Sequence, residues 1–266
     1  MSSAITAAPP ADQKYSFKKG DTHVGVWAIQ RALNGIDLSG YPYVLTEDGG
    51  FGLETEKCVL AYQRATKLTA DGIFGPASQA RLVRSLEVRT PSHVPVGLIR
   101  SVVEGESGNL IACVNWDVPN GVDCGYTQRR VSSTNTPSSW PTGATFKQTE
   151  VEAAFDSFKQ FSILASGLRS RKDNYVKRAG VINRADKHEY AWRLATLYHN
   201  WPYGANRLAD GYALSNRVAD WVPAGVKFAD GTPVVTYTDW AQFYALGSPE
   251  HSHQGLMVKY VSDWIV

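Results

Sequence analysis

Cysteine is scarce in this chain of 266 residues, with Cys58, Cys113 and Cys124 the full set. An odd set of three makes no disulfide scaffold, so the fold must hold by packing, and synthesis in a reducing compartment is the simpler reading. Cys113 and Cys124 could bridge after release, but two small buried thiols suit the pattern better. Long apolar runs are missing too. No stretch reaches the roughly 18 apolar residues of a membrane helix, and the first twenty residues hold no apolar core of the kind a Sec leader carries. Neither stable membrane insertion nor a Sec signal is therefore expected. Charge of one sign is also lacking: 27 Lys and Arg stand against 25 Asp and Glu, net +2, which offers no large field to nucleic acid. His251 and His253 have poor spacing for a metal and read as surface residues, so no metal or cofactor is expected.

What is present is globular. With 43% hydrophobic and 20% charged residues, the length suits one large domain or two ordinary ones. Eight Trp and thirteen Tyr could stack on sugar rings, although core packing explains them as well. Residues 1–20, rich in Ala, Pro, Ser and Lys, read as a loose arm. Asp21 or Thr22 is a candidate N-cap for an amphipathic helix from Val24 to Leu33, stopped by Asn34-Gly35. An internal repeat follows. Leu45-Thr-Glu-Asp48-Gly49-Gly-Phe51-Gly52 recurs 23 residues later as Leu68-Thr-Ala-Asp71-Gly72-Ile-Phe74-Gly75, and each copy leads into a helix, Leu53 to Thr66 and Pro76 to Leu86. Asp-Gly supplies the tight turn, Phe anchors it, and Pro76 fits the first helical position.

Residues 21–87 resemble the three-helix peptidoglycan-binding domain found beside many wall hydrolases. The resemblance rests on Trp27-x-x-Gln30-x-x-Leu33, the two Asp-Gly-x-Phe-Gly turns and Tyr62-Gln63, and it implies peptidoglycan glycan strands as the partner. A small helical domain docked only for stability is the alternative. Residues 88–95, with two prolines and no periodicity, read as a linker to a second domain at 96–266.

That second domain turns on the stretch from Glu104 to Gln128. Leu98, Ile99, Val102 and Val103 recur at helical spacing, so a short buried helix delivers Glu106 at its C-terminal end. A carboxylate at the negative end of a helix dipole, backed by an apolar wall, should hold its proton to higher pH. Seventeen residues on, Asp123 follows a polar turn at Pro119-Asn120-Gly121, which predicts a solvated, ionised carboxylate. Glycosidic cleavage asks for such a pair, an acid for the leaving oxygen and an anion opposite an oxocarbenium-like centre. Glu106-Ser107, a loop, and Asp123-x-Gly125-x-x-Gln128 are similar to the lysozyme superfamily, including the lytic transglycosylases. The resemblance implies a mainly α chain, its three-helix head followed by an α+β lysozyme-like domain, with Glu106 and Asp123 catalytic and Ser107, Tyr126 and Gln128 against substrate.

Downstream, residues 132–143 form a polar loop in which Trp140 reads equally as a sugar platform or a buried plug. Thr149-x-x-Glu152 fits a capping box ahead of one long helix carrying Val151, Phe155, Phe158, Phe161, Ala165 and Leu168. Five basic residues between Arg169 and Arg178 then end it as a solvated face. A helix from Lys187 to Tyr198 runs into a segment similar to the Tyr-Asn floor of transglycosylase clefts, which adds Tyr198 and Asn200 as substrate contacts. A strand at 234–238 and a helix capped by Thr238 or Asp239 close the chain.

Three functions follow from this reading. A muramidase would cleave the β-1,4 bond between N-acetylmuramic acid and N-acetylglucosamine with both carboxylates. A lytic transglycosylase would use Glu106 alone and leave 1,6-anhydro ends, and a wall-binding protein would use neither. A wall-binding head on a glycosidase body resembles a bacteriophage endolysin, a monomer made in the host cytoplasm and acting on the wall after release.

Overall fold

The structure, a computed structural model, describes residues 14–38, 44–90, 93–116, 120–135, 144–200, 202–211, 225, 227 and 230–234. Among them the chain is mainly helical: α1 Val24–Asn34, α2 Leu53–Ala65, α3 Pro76–Arg89, α4 Leu98–Ser107, then β1 Val114–Asn115, β2 Gly121–Cys124 and β3 Arg129–Ser132, then α5 Gln148–Phe155, α6 Ser157–Tyr175, α7 Lys187–Asn200 and α8 Pro202–Ala209. The sheet is antiparallel in the order β1-β2-β3. The chain divides into two compact units, Met1–Thr90 with Glu106–Ser162, and Pro91–Gly105 with Ile163–Val266. No described helix is long and apolar enough to cross a membrane.

In the first unit α1 buries Val26, Trp27, Ala28, Ile29 and Leu33. Its cap is neither Asp21 nor Thr22 but His23, whose Nδ1 accepts from the Gly25 amide at 2.9 Å. Asp21 is occupied elsewhere, taking the Lys18 amide at 2.8 Å and Lys14 Nζ at 2.7 Å. The expected arm does not hold from Lys14 onward, because Phe17 is wholly buried and bridges Phe74 through two backbone hydrogen bonds of 3.2 and 2.8 Å. An aromatic ring with a place in the core orders the segment from Lys14 onward. At the other end of the head, α3 continues past Leu86 to Arg89.

The long helix expected over 151–168 is broken. Asp156 is extended, with φ −76° and ψ 99°, and separates α5 from α6. Its Oδ1 accepts from the Lys159 amide at 3.1 Å while Oδ2 takes Arg31 Nε at 2.7 Å, so a salt bridge from α1 fixes a cap where periodicity alone runs on. Thr149 is inside α5 rather than capping it; the cap position is Lys147, without a side-chain bond, and Glu152 instead accepts from Gln148 Nε2 at 2.9 Å.

In the second unit the basic run does not end α6, which continues to Tyr175. It is a solvated face only in part, at Arg169 and Lys177. Lys172 is buried with its Nζ 5.5 Å from the Trp192 ring, and Arg178 forks onto Asp210 at 2.6 and 2.5 Å while Nη1 reaches Asn206 at 2.7 Å. Their long stems cover apolar surface while the heads find partners. Leu98, Ile99, Val102 and Val103 of α4 are buried as the spacing predicts. Gly180 lets the chain close on α8: its amide donates to Ala209 O at 2.9 Å, and a Cβ there would sit 2.3 Å from Leu208 O. Residues 235–238, the helix beyond them, Trp140, His251 and His253 lie outside the described residues.

Candidate functional site

Each Asp-Gly turn of the head is built around a buried glutamine. Gln30 Nε2 reaches Asp48 Oδ1 (2.9 Å), Gly50 O (3.0 Å) and Thr55 Oγ1 (3.1 Å), while its Oε1 accepts from the amides of Asp48 (3.1 Å) and Gly49 (2.9 Å). Gln63 repeats the pattern in the second turn, reaching Asp71 Oδ1 (2.8 Å), Ile73 O (2.9 Å) and Ser78 Oγ (3.3 Å) and accepting from the Gly72 amide (3.0 Å). The Ile73 amide and Gln63 hold the Asp71 carboxyl below its ordinary range. A third glutamine, Gln79, donates to Tyr15 O and accepts from the Ile111 amide, both at 2.8 Å. The clamps escape a reading of spacing because Gln30 precedes its Asp by 18 residues and Gln63 by only 8.

Beyond the head, α4 ends at Ser107 and the chain reverses through Gly108 and Asn109, with φ of 59° and 66°. Glu106, half-buried, is the last residue but one of the helix, as expected. The sheet sets the second carboxylate. Alternation along β2 sends Val122 and Cys124 to one face, buried with Val131, and leaves Gly121 and Asp123 on the other. Asn115 on β1, Asp123 on β2 and Arg130 on β3 are direct partners, so one polar row crosses all three strands. Such partners stand about 5 Å apart at Cβ.

Asp123 is half-buried, not the solvated carboxylate expected from the turn before it, because β2 is the central strand. Burial pushes its carboxyl above the ordinary range, Arg130 opposes that, and the negative charge of Glu106 adds to it. The charge of Glu106 is thus felt at Asp123. The Cys113 thiol is drawn in as well, pushed up to about 11 by burial and by Glu106. All three cysteines are buried and none is in a disulfide.

The Gly-x-x-Gln motif turns out to close the hairpin. Gly125, at φ +73°, donates to Cys113 O at 2.8 Å and packs so tightly on α5 that a Cβ would lie 2.2 Å from Ala154 O. Gln128, itself at φ 47°, points Nε2 back to Gly125 O at 3.0 Å. Thr127 is hydrogen-bonded to Gln160. Tyr126 is not a substrate contact: it is a core residue, wholly buried with its ring 5.8 Å from Phe161, because the left-handed Gly125 turns its side chain inward. Ser107 is also buried. In the second unit, Tyr198 is half-buried with the Arg171 guanidinium 4.2 Å from its ring centre, and Asn200 ends α7. Arg130 and Asn115 were missed, although a hairpin drawn through the turn after Cys124 would have set Arg130 beside Asp123, and one drawn through the expected turn before Gly121 would have set Asn115 there.

The three helices with their two clamped turns form one small module. Residues 22–82 match the family model of a peptidoglycan-binding domain, which supports peptidoglycan as a partner of this chain. No curated protein matches it.

Proposed function

We propose that the protein is a peptidoglycan-degrading glycosidase that cleaves the β-1,4 bond between N-acetylmuramic acid and N-acetylglucosamine. The observation that carries this reading is that Asp123, on the central strand, feels the charge of Glu106 at the end of a helix, both in the same compact unit as a domain for peptidoglycan. Glu106 protonates the leaving oxygen, and Asp123 stabilises the cation, attacks it or activates water. An endolysin, made in the host cytoplasm and reaching the wall after release, is the setting that this chemistry and this partner suit together.

One observation favours a second reading. Burial works against the charge on Asp123, and an enzyme that closes a 1,6-anhydro ring with the substrate's own 6-hydroxyl needs only Glu106. Mass spectrometry of digested walls separates the two. Reducing muramic acid ends, lost in Asp123→Asn, support the muramidase; anhydro ends with an active Asn variant support the transglycosylase. Intact walls after treatment with folded protein would leave a binding protein only.

A further inference from the structure

Gly121 and Asp123 project from one face of β2, and Arg130 stands across from Asp123 on β3. The Arg130 side chain lies over Gly121, where an added Cβ would sit 2.3 Å from Nε and 2.8 Å from Cζ. Gly121 has no positive φ, so the backbone does not demand glycine here, and an added Cβ would instead displace the guanidinium. We propose that Arg130 is a positioning residue of the site, laid over Gly121 so that it holds the Asp123 carboxylate charged and oriented beside Glu106. Its consequence for catalysis rests on the glycosidase reading, while its effect on Asp123 stands without it.

The other groups around the sheet leave this role to Arg130. Arg129 is the register partner of Cys124 and projects from the opposite face. On α5, Glu150 is paired with Lys147 at 3.8 Å and Glu152 with Gln148 at 2.9 Å. The thiols of Cys113 and Cys124 are neutral over the working range because burial pushes both up. Against burial and Glu106, both of which favour a protonated Asp123, Arg130 is the opposing charge.

The experiment is a carbon-13 titration of the Asp carboxyl groups in the full-length protein, with Asp123→Asn used to assign the resonance. Arg130→Gln should move the Asp123 midpoint upward, Arg130→Lys should keep it near wild type, and Gly121→Ala should move it in the same direction as Arg130→Gln by displacing the guanidinium with no change of charge. In wall clearing, Arg130→Gln should lose about three- to tenfold at the acidic end and recover as pH rises. A folded Arg130→Gln or Gly121→Ala protein with an unmoved midpoint overturns the proposal. So does a rate deficit equal at every pH, which is what a merely structural arginine would produce. If wild-type protein clears no walls, the glycosidase reading falls and the titration still decides the role of Arg130.

Discussion

Gly125→Ala tests how the candidate site is held. At φ +73° an alanine costs about 1–2 kcal/mol for the left-handed backbone alone. Its Cβ would also lie 2.2 Å from Ala154 O, whereas a comfortable carbon–oxygen contact is about 3.3 Å, so roughly 1 Å of separation must be found. The neighbour cannot easily give it. It is a backbone carbonyl in α5, and that helix is tied by Gln160 Nε2 to Ala153 O at 2.6 Å and by Arg31 to Asp156 just beyond its end. Overpacking against such a wall adds about 1–3 kcal/mol, for a total of about 2–5 kcal/mol. Gly108→Ala is the control, since φ is +59° and nothing lies within 4 Å, so it bears the backbone cost without the clash. Urea unfolding followed by circular dichroism would compare the two with wild type. A Gly125→Ala protein no less stable than Gly108→Ala would refute the packing argument.

Gln63→Ala removes a buried amide with four hydrogen-bond partners, which at about 1 kcal/mol each, less what water restores, should cost about 2–4 kcal/mol in urea unfolding and weaken co-sedimentation of the full chain with peptidoglycan. Glu106→Gln should lower wall clearing about 10²- to 10⁴-fold, with Glu104→Gln costing far less, and a fully active Glu106→Gln enzyme would refute the catalytic assignment. Asp123 holds its proton to higher pH folded than unfolded, so the folded state binds the extra proton between those two values and its contribution to stability falls as pH rises through that window. Asp123→Asn should abolish that decline and raise the melting temperature at neutral pH relative to wild type, and calorimetry across acidic to neutral pH would show an unchanged slope if the reasoning is wrong.

Helices whose apolar residues recur at regular spacing were readable, and so was the arrival of Glu106 at the end of one of them. The repeat placed both turns of the head. What could not be read depends on partners distant in sequence. The break at Asp156 is made by an arginine 125 residues earlier, and Phe17 is ordered by Phe74. At the site, composition around Asp123 suggested a solvated turn, yet its place on the central strand half-buries it. Tyr126 was set against substrate by the resemblance of its motif alone, which carries no information on burial, whereas its ring packs in the core against Phe161.

The first unit is discontinuous, and that has a consequence in time. Gln79 waits for the amide of Ile111, Arg31 for Asp156, and Gly35 for the ring of Phe158, which lies within 2.2 Å of where a Cβ would be. On the ribosome, the 125 residues between Arg31 and its carboxylate take roughly 6–25 s to synthesise. Through that interval the wall-binding helices are an unsealed half of a core, open to proteases and to other nascent chains. Once Asp156 has emerged, the head closes together with the strands that bear Asp123, so a cell that degrades unfinished protein discards both as one.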